Sequence, residues 1–163
     1  MKQMFKTVFF ATFLASGTAG AHGDTHKTEK KPMVAFEEKP FGKPGENSKV
    51  TRTIQVDMSD TMHFNPEHIR LKPGDTVKFI ARNKGRIMHE MVLGTMKELK
   101  EHHELMKKFP NMEHDEPYMA HVPPGKSEEL VWQFTKPGEF FFACLIPGHL
   151  EAGMIGKITV GKR

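Results

Sequence analysis

Cys144, His149 and Met154 stand five residues apart near the end of a 163-residue chain, and Cys144 is its single cysteine. They offer a thiolate, an imidazole and a thioether. That soft donor set suits copper and is unsuited to calcium or magnesium. A trigonal copper site built from two histidines, one cysteine and a weak axial methionine needs one more imidazole from elsewhere in the chain. His89 is a candidate, because it sits where the loop Asn83-Lys84-Gly85-Arg86 enters the apolar run Ile87-Met88-His89-Glu90-Met91-Val92-Leu93. A strand end is rigid, and the loop before it can expose a ring edge. Several other histidines compete with it on composition alone. Of these, His63 and His68 read as surface or strand histidines.

The local pattern fits a strand–loop–strand delivery of these groups. Residues 139–144 are apolar and aromatic like a buried strand, and Pro147-Gly148 turns the chain just before His149. Gly153 and Gly156 flank Met154, and Ile155, Ile158 and Val160 mark a closing strand. Upstream, Val50–Met58 alternates with Ile54, Val56 and Met58 on one face. Thr76–Arg82 alternates again after the Lys72-Pro73-Gly74-Asp75 turn. Leu130, Trp132 and Phe134 repeat the pattern after the turn Val122-Pro123-Pro124-Gly125, and Lys136-Pro137-Gly138 leads back to the cysteine strand. Seven or eight strands with regular turns predict an all-β fold, a Greek-key β-sandwich. One helix interrupts it: Lys97–Phe109 has no Gly or Pro, and Pro110 ends it.

That helix opens an insert, residues 96–121, holding Met96, Met106, Met112 and Met119 with His102, His103, His114 and His121. Two readings stand. Met96, Leu99, His103 and Met106 fall on one side at helical spacing and would pack on the sheet. Alternatively, the thioethers and imidazoles bind additional copper, chiefly Cu(I).

The N-terminus carries Lys2 and Lys6, then an almost wholly apolar run from Thr7 to Ser16, then Ala19-Gly20-Ala21. This is the pattern of a secretory signal peptide over residues 1–21, too short to span a bilayer once read as a helix. Export to the periplasm is therefore expected, with no membrane span after cleavage. Removing those residues takes two lysines from a net charge of +4. The remaining charge gives no reason to expect a nucleic-acid partner. In an oxidising compartment cysteines usually pair, and a single cysteine has no internal partner. A buried, inert thiol is the competing reading for Cys144, and the histidine and methionine beside it argue for a metal ligand. Residues 22–49, rich in Lys, Glu, Gly, Pro and Thr, read as a flexible tail bearing His22 and His26. The folded domain is expected over 50–163.

Taken together, Phe64–Phe79, the His89 strand, Pro124-Gly125, Lys136–Phe140 and Cys144-Leu-Ile-Pro-Gly-His149 resemble a cupredoxin of the plastocyanin and azurin superfamily over about residues 50–161. The His89 strand and the Met/His-rich insert look closest to the periplasmic cupredoxins of copper tolerance. The resemblance implies one type 1 copper ion held by His89, Cys144, His149 and axial Met154. The Cys-to-His gap is similar to that of azurin and the His-to-Met gap to that of plastocyanin. It implies a role in copper tolerance, one-electron transfer, or both, with an unidentified redox or copper-transfer protein as partner. A Cu(I) metallochaperone or storage protein using the insert is the alternative. An enzyme is not expected. A copper oxidase or nitrite reductase needs a further copper centre, and no oxyanion motif or third orienting residue accompanies Cys144 and His149 for hydrolysis.

Overall fold

Alternating apolar residues make the strands and decide which face of each turns inward. In the computed structural model, which describes residues 36–109 and 115–161, ten strands and one α-helix are present. The strands are β1 (Lys43–Pro44), β2 (Arg52–Ser59), β3 (His63–Asn65), β4 (His68–Leu71), β5 (Thr76–Asn83), β6 (His89–Gly94), β7 (Met119–Val122), β8 (Ser127–Gln133), β9 (Gly138–Ala143) and β10 (Ile155–Val160). The helix α1 spans Met96–Lys108, between β6 and β7. One sheet runs β1-β8-β5-β2-β3 and the other β4-β10-β9-β6-β7. The chain crosses between them at β3–β4, β4–β5, β5–β6, β7–β8 and β8–β9. Most pairings are antiparallel, with β2–β5 and β4–β10 parallel.

The expected sandwich with one helical insert is therefore the fold, with two refinements. The stretch Met62–Leu71 is two short strands rather than one, and they belong to different sheets. Residues 36–49, which composition assigns to the tail, are packed on the sandwich. Phe41 is buried and stacks on Trp132 with centroids 5.0 Å apart, while the Trp132 Nε1–H donates to the Phe41 carbonyl at 3.0 Å. Phe36 meets the same indole edge-on, and Lys43–Pro44 pairs with Gln133 and Trp132. Two aromatic residues suffice to dock a segment that is otherwise charged and Pro/Gly-rich, because each ring removes a large apolar area from water. Residues 1–35, including the expected signal peptide, His22 and His26, lie outside the described residues, as do 110–114 and 162–163.

The main core lies between the sheets, around Val56, Met58, Phe64, Phe79, Trp132, Phe134 and Phe142. A second cluster lies on the outer face of the other sheet, where Val92, Met119, Ala143 and Leu145 meet Leu99 of α1. Every residue of β6 is buried, because the core covers one face of this strand and the helix end covers part of the other. Thr95 caps α1 in a reciprocal box: its hydroxyl accepts from the Glu98 amide, and Glu98 accepts from the Thr95 amide. Such a box satisfies donors the helix cannot bond internally. Leu99, His103 and Met106 form the buried face, in agreement with the packing reading, whereas Met96 is only half-buried. Among the described residues, no helix is long and apolar enough to cross a membrane.

Candidate metal centre

β6 and β9 are neighbours in one sheet, with Val92 opposite Ala143. This pairing brings His89, at the start of β6, beside Cys144, at the end of β9, although 55 positions separate them in the chain. The turns after Cys144 then carry His149 back. One donor atom from each of His89, Cys144 and His149 lies within 4.8 Å of the other two, and all three residues are buried. The imidazole centroids are 5.0 Å apart. Cys144 Sγ is 3.2 Å from His149 Nδ1.

Met154 is fully buried, in the same core cluster as Cys144. Its amide donates to the His149 carbonyl at 3.0 Å, and its carbonyl accepts from the Cys144 amide at 3.1 Å. The loop between Cys144 and Met154 is a series of turns, with His149 N bonded to Ile146 O and Gly153 N to Leu150 O. Gly148 takes φ +91°, a left-handed conformation that costs glycine little and most other residues more. Three of the four residues singled out from the sequence thus bring their donor atoms together, the backbone of the fourth, Met154, is bonded to two of them, and the other described histidines do not join the group. His63 and His68 are exposed. His121 faces Glu90, and His103 faces the loop from α1.

His89 is held from both sides. Asn83 is buried at the end of β5, where its amide donates to the carbonyls of Ile87 at 2.7 Å and Val122 at 2.8 Å and accepts from Gly85 N. This fastens the loop that leads into β6. Asp60, just past β2, accepts from the Arg86 amide at 2.7 Å and from His89 Nε2 at 3.1 Å. A Cβ at Gly85 would lie 1.8 Å from the Asp60 carboxylate, so the loop needs a glycine there. The Arg86 amide, foremost, and His89 hold the Asp60 carboxyl below the usual range.

With Nε2 donating to Asp60, His89 Nδ1 is the nitrogen left over, and it is buried without a hydrogen-bond partner. Among the described residues it is the one buried side-chain nitrogen or oxygen in that condition. Such a group is costly unless something fills its lone pair. The environment of the sulfur is equally specific. Burial pushes the Cys144 thiol up to about 12, against the opposing effect of the Glu90 amide, which donates to Sγ at 3.4 Å. Desolvation, reinforced by the neighbouring His89, holds His149 down, which favours a neutral imidazole. An orphaned imidazole nitrogen, a second neutral imidazole and a buried thiol, grouped within 4.8 Å of one another, fit a copper ion.

Asp60, Asn83 and Glu90 were not visible as site residues in the sequence. An Asp after a strand and an Asn before a glycine are ordinary turn residues, and only the tertiary pairing of β2 with β5 reveals their use. The insert is more engaged in packing than its composition implies. Met106 and Met119 are buried, His103 is bonded to the loop, and His121 is paired with Glu90. Met112 and His114 lie outside the described residues.

Comparisons with known proteins bear on the family and the fold. Residues 50–161 match the family described as copper binding proteins, plastocyanin/azurin family. A protein of Rubrivivax gelatinosus named copper-resistant cuproprotein CopI is 48% identical over 151 residues, covering 93% of this chain and 90% of its own. A protein of the same name from Pseudomonas aeruginosa is 36% identical over 149 residues, covering 74% and 82%. Among solved structures, auracyanin B superposes with a TM-score of 0.63 at 21% identity, covering 77% of this chain and 99% of its own. A reduced auracyanin from Roseiflexus castenholzii gives 0.59 at 19%, covering 69% and 98%. At that identity the two structures speak for the fold alone.

Proposed function

Because the chain belongs to the plastocyanin/azurin family of copper-binding proteins, we propose that it holds one type 1 copper ion through His89, Cys144, His149 and Met154. In this reading it acts in copper tolerance in the periplasm, by sequestering copper or by exchanging single electrons with a protein partner. The observation that carries the reading is the buried, partnerless Nδ1 of His89 in a group whose other donors are Cys144 and His149. Copper bound there supplies one-electron redox chemistry and the colour of thiolate charge transfer.

The chain's own residues prepare the place. Asp60 fixes the His89 tautomer, so that Nδ1 carries the free lone pair. The Glu90 amide donates to the Cys144 sulfur and favours its thiolate. The sulfur is fully buried in the same core cluster as Phe142, which keeps water from it. Donors already held close together need little rearrangement between the two oxidation states of the metal.

Copper tolerance is supported by the printed names of the curated relatives, which are copper-resistant cuproproteins. Those names describe copper-containing proteins. The periplasmic site of action rests on the signal-like residues 1–21, proposed to be removed on export. The test is a deletion strain challenged with copper and complemented with the wild-type gene or with Cys144→Ser. Tolerance restored by the wild type and not by the variant supports the reading. Equal rescue by both detaches tolerance from this centre.

A further inference from the structure

His103 sits on the inward face of α1, 5% exposed, between Leu99 and Met106 at helical spacing. Apolar side chains would fill that position as well, and a buried imidazole needs partners that they do not. Its partners are both in the loop that carries His149. Nδ1 lies 3.3 Å from the Leu145 carbonyl, and Nε2 lies 2.8 Å from Glu151 Oε1. The second oxygen of Glu151 accepts from the Gly148 amide at 3.1 Å. One side chain of the inserted helix therefore reaches the loop at 145 and 151, on both sides of His149, and the Glu151 it holds in turn binds Gly148.

We propose that His103 is a positioning residue for this loop: through Leu145 and Glu151 it fixes the turn that holds His149 in place. The inference rests on the assignment of His149 to the copper centre. No strand pairing holds Ile146–Ala152, whose shape comes from turn hydrogen bonds and from this clamp. The helix thereby acquires a function that packing alone would not give it. From the outer face of the sheet, against β6 and β9, it sets the position of a ligand from outside the metal's own coordination.

The chemistry of the clamp separates two substitutions at its exposed member. Glu151→Ala removes the acceptor for both His103 and Gly148. Glu151→Gln keeps the arrangement: the amide oxygen accepts from Gly148 N–H, and the amide nitrogen donates to His103 Nε2. The ring then donates to Leu145 from Nδ1. His103→Leu removes the imidazole and retains apolar volume in the helix face.

The experiment measures amide hydrogen exchange in the metal-free full chain and the visible and paramagnetic spectra of the same proteins loaded with Cu(II). Exchange at 145–151 should rise about tenfold in His103→Leu and Glu151→Ala, the effect of losing a net hydrogen bond. It should stay within about twofold of wild type in Glu151→Gln, by the same reasoning. Amides of α1 should be unaffected by the Glu151 changes. The copper bands and hyperfine splitting should shift in His103→Leu and Glu151→Ala and not in Glu151→Gln. Unchanged exchange in Glu151→Ala overturns the clamp. Faster exchange with four identical copper spectra overturns its role in positioning. A wild-type protein without a thiolate-to-copper band overturns the copper assignment instead, a failure that exchange in the metal-free protein keeps distinct.

Discussion

His89 Nε2 lies 3.1 Å from Asp60 Oδ1, and this contact settles which face of the imidazole the site receives. A carboxylate only accepts, so Nε2 carries the proton and Nδ1 the lone pair. The two residues are 29 positions apart, brought together because β2 and β5 run side by side up to the pair Met58–Asn83. Asp60 also accepts from the Arg86 amide, so the same group shapes the loop and orients the ring.

Asp60→Ala should therefore weaken copper binding roughly 10- to 100-fold, the usual effect of losing an outer partner of a metal-bound histidine. Competition with a copper chelator measures it. Asp60→Asn should fall between the two, because its amide oxygen still accepts from Nε2. An affinity unchanged in Asp60→Ala would show that the His89 ring is held by its other neighbours.

Cys144→Ser should leave a folded, colourless protein. The sulfur is fully buried, but the sandwich rests on its strands and on aromatic packing. The stability change should stay within about 3 kcal/mol, the ordinary range for one substitution. Visible absorption after Cu(II) addition and a urea denaturation curve read the two halves of this expectation. Persistence of the intense band in a folded variant would remove Cys144 from the centre.

The insert yields an outcome for its methionines. Met106 is buried on α1 and Met119 within β7, so replacing both by leucine should leave the Cu(I) stoichiometry unchanged and cost less than about 1.5 kcal/mol at each site. Titration with a Cu(I) indicator checks the count. Loss of a Cu(I) equivalent would favour the storage or metallochaperone reading over a packing role for these two residues.

Trp132→Phe tests how residues 36–49 are joined to the domain. The change removes the Nε1–H that Phe41 accepts at 3.0 Å and leaves a buried carbonyl unpaired. A loss of about 1–3 kcal/mol is expected. Limited proteolysis should show earlier cleavage around Phe36 and Phe41 while the strands remain protected. Wild-type resistance in that segment would mean that ring stacking and the β1–β8 pairing hold it without this hydrogen bond.

What the sequence disclosed and what it withheld follow from range. Cys144, His149 and Met154 lie within one short loop, so their types and spacing could be read directly. His89 needed the added clue of a loop entering an apolar strand, and family resemblance separated it from its competitors. Asp60 was invisible because its role depends on a parallel pairing of two strands that no local pattern encodes. The helical spacing placed His103 on the inward face of α1, but did not reveal that its ring reaches Leu145 and Glu151. Phe36 and Phe41 were concealed by their charged surroundings. Average composition there reads as tail, whereas burial is decided by two rings finding Trp132.

The proposed centre holds one copper ion through two imidazoles and the single thiolate. X-ray absorption at the copper edge of the full chain loaded with one equivalent of Cu(II) tests it most directly. One short copper–sulfur distance and two copper–nitrogen distances are expected, with the sulfur shell lost in Cys144→Ser and one nitrogen lost in His89→Ala. A copper ion surrounded only by nitrogen and oxygen in the wild-type protein would contradict it.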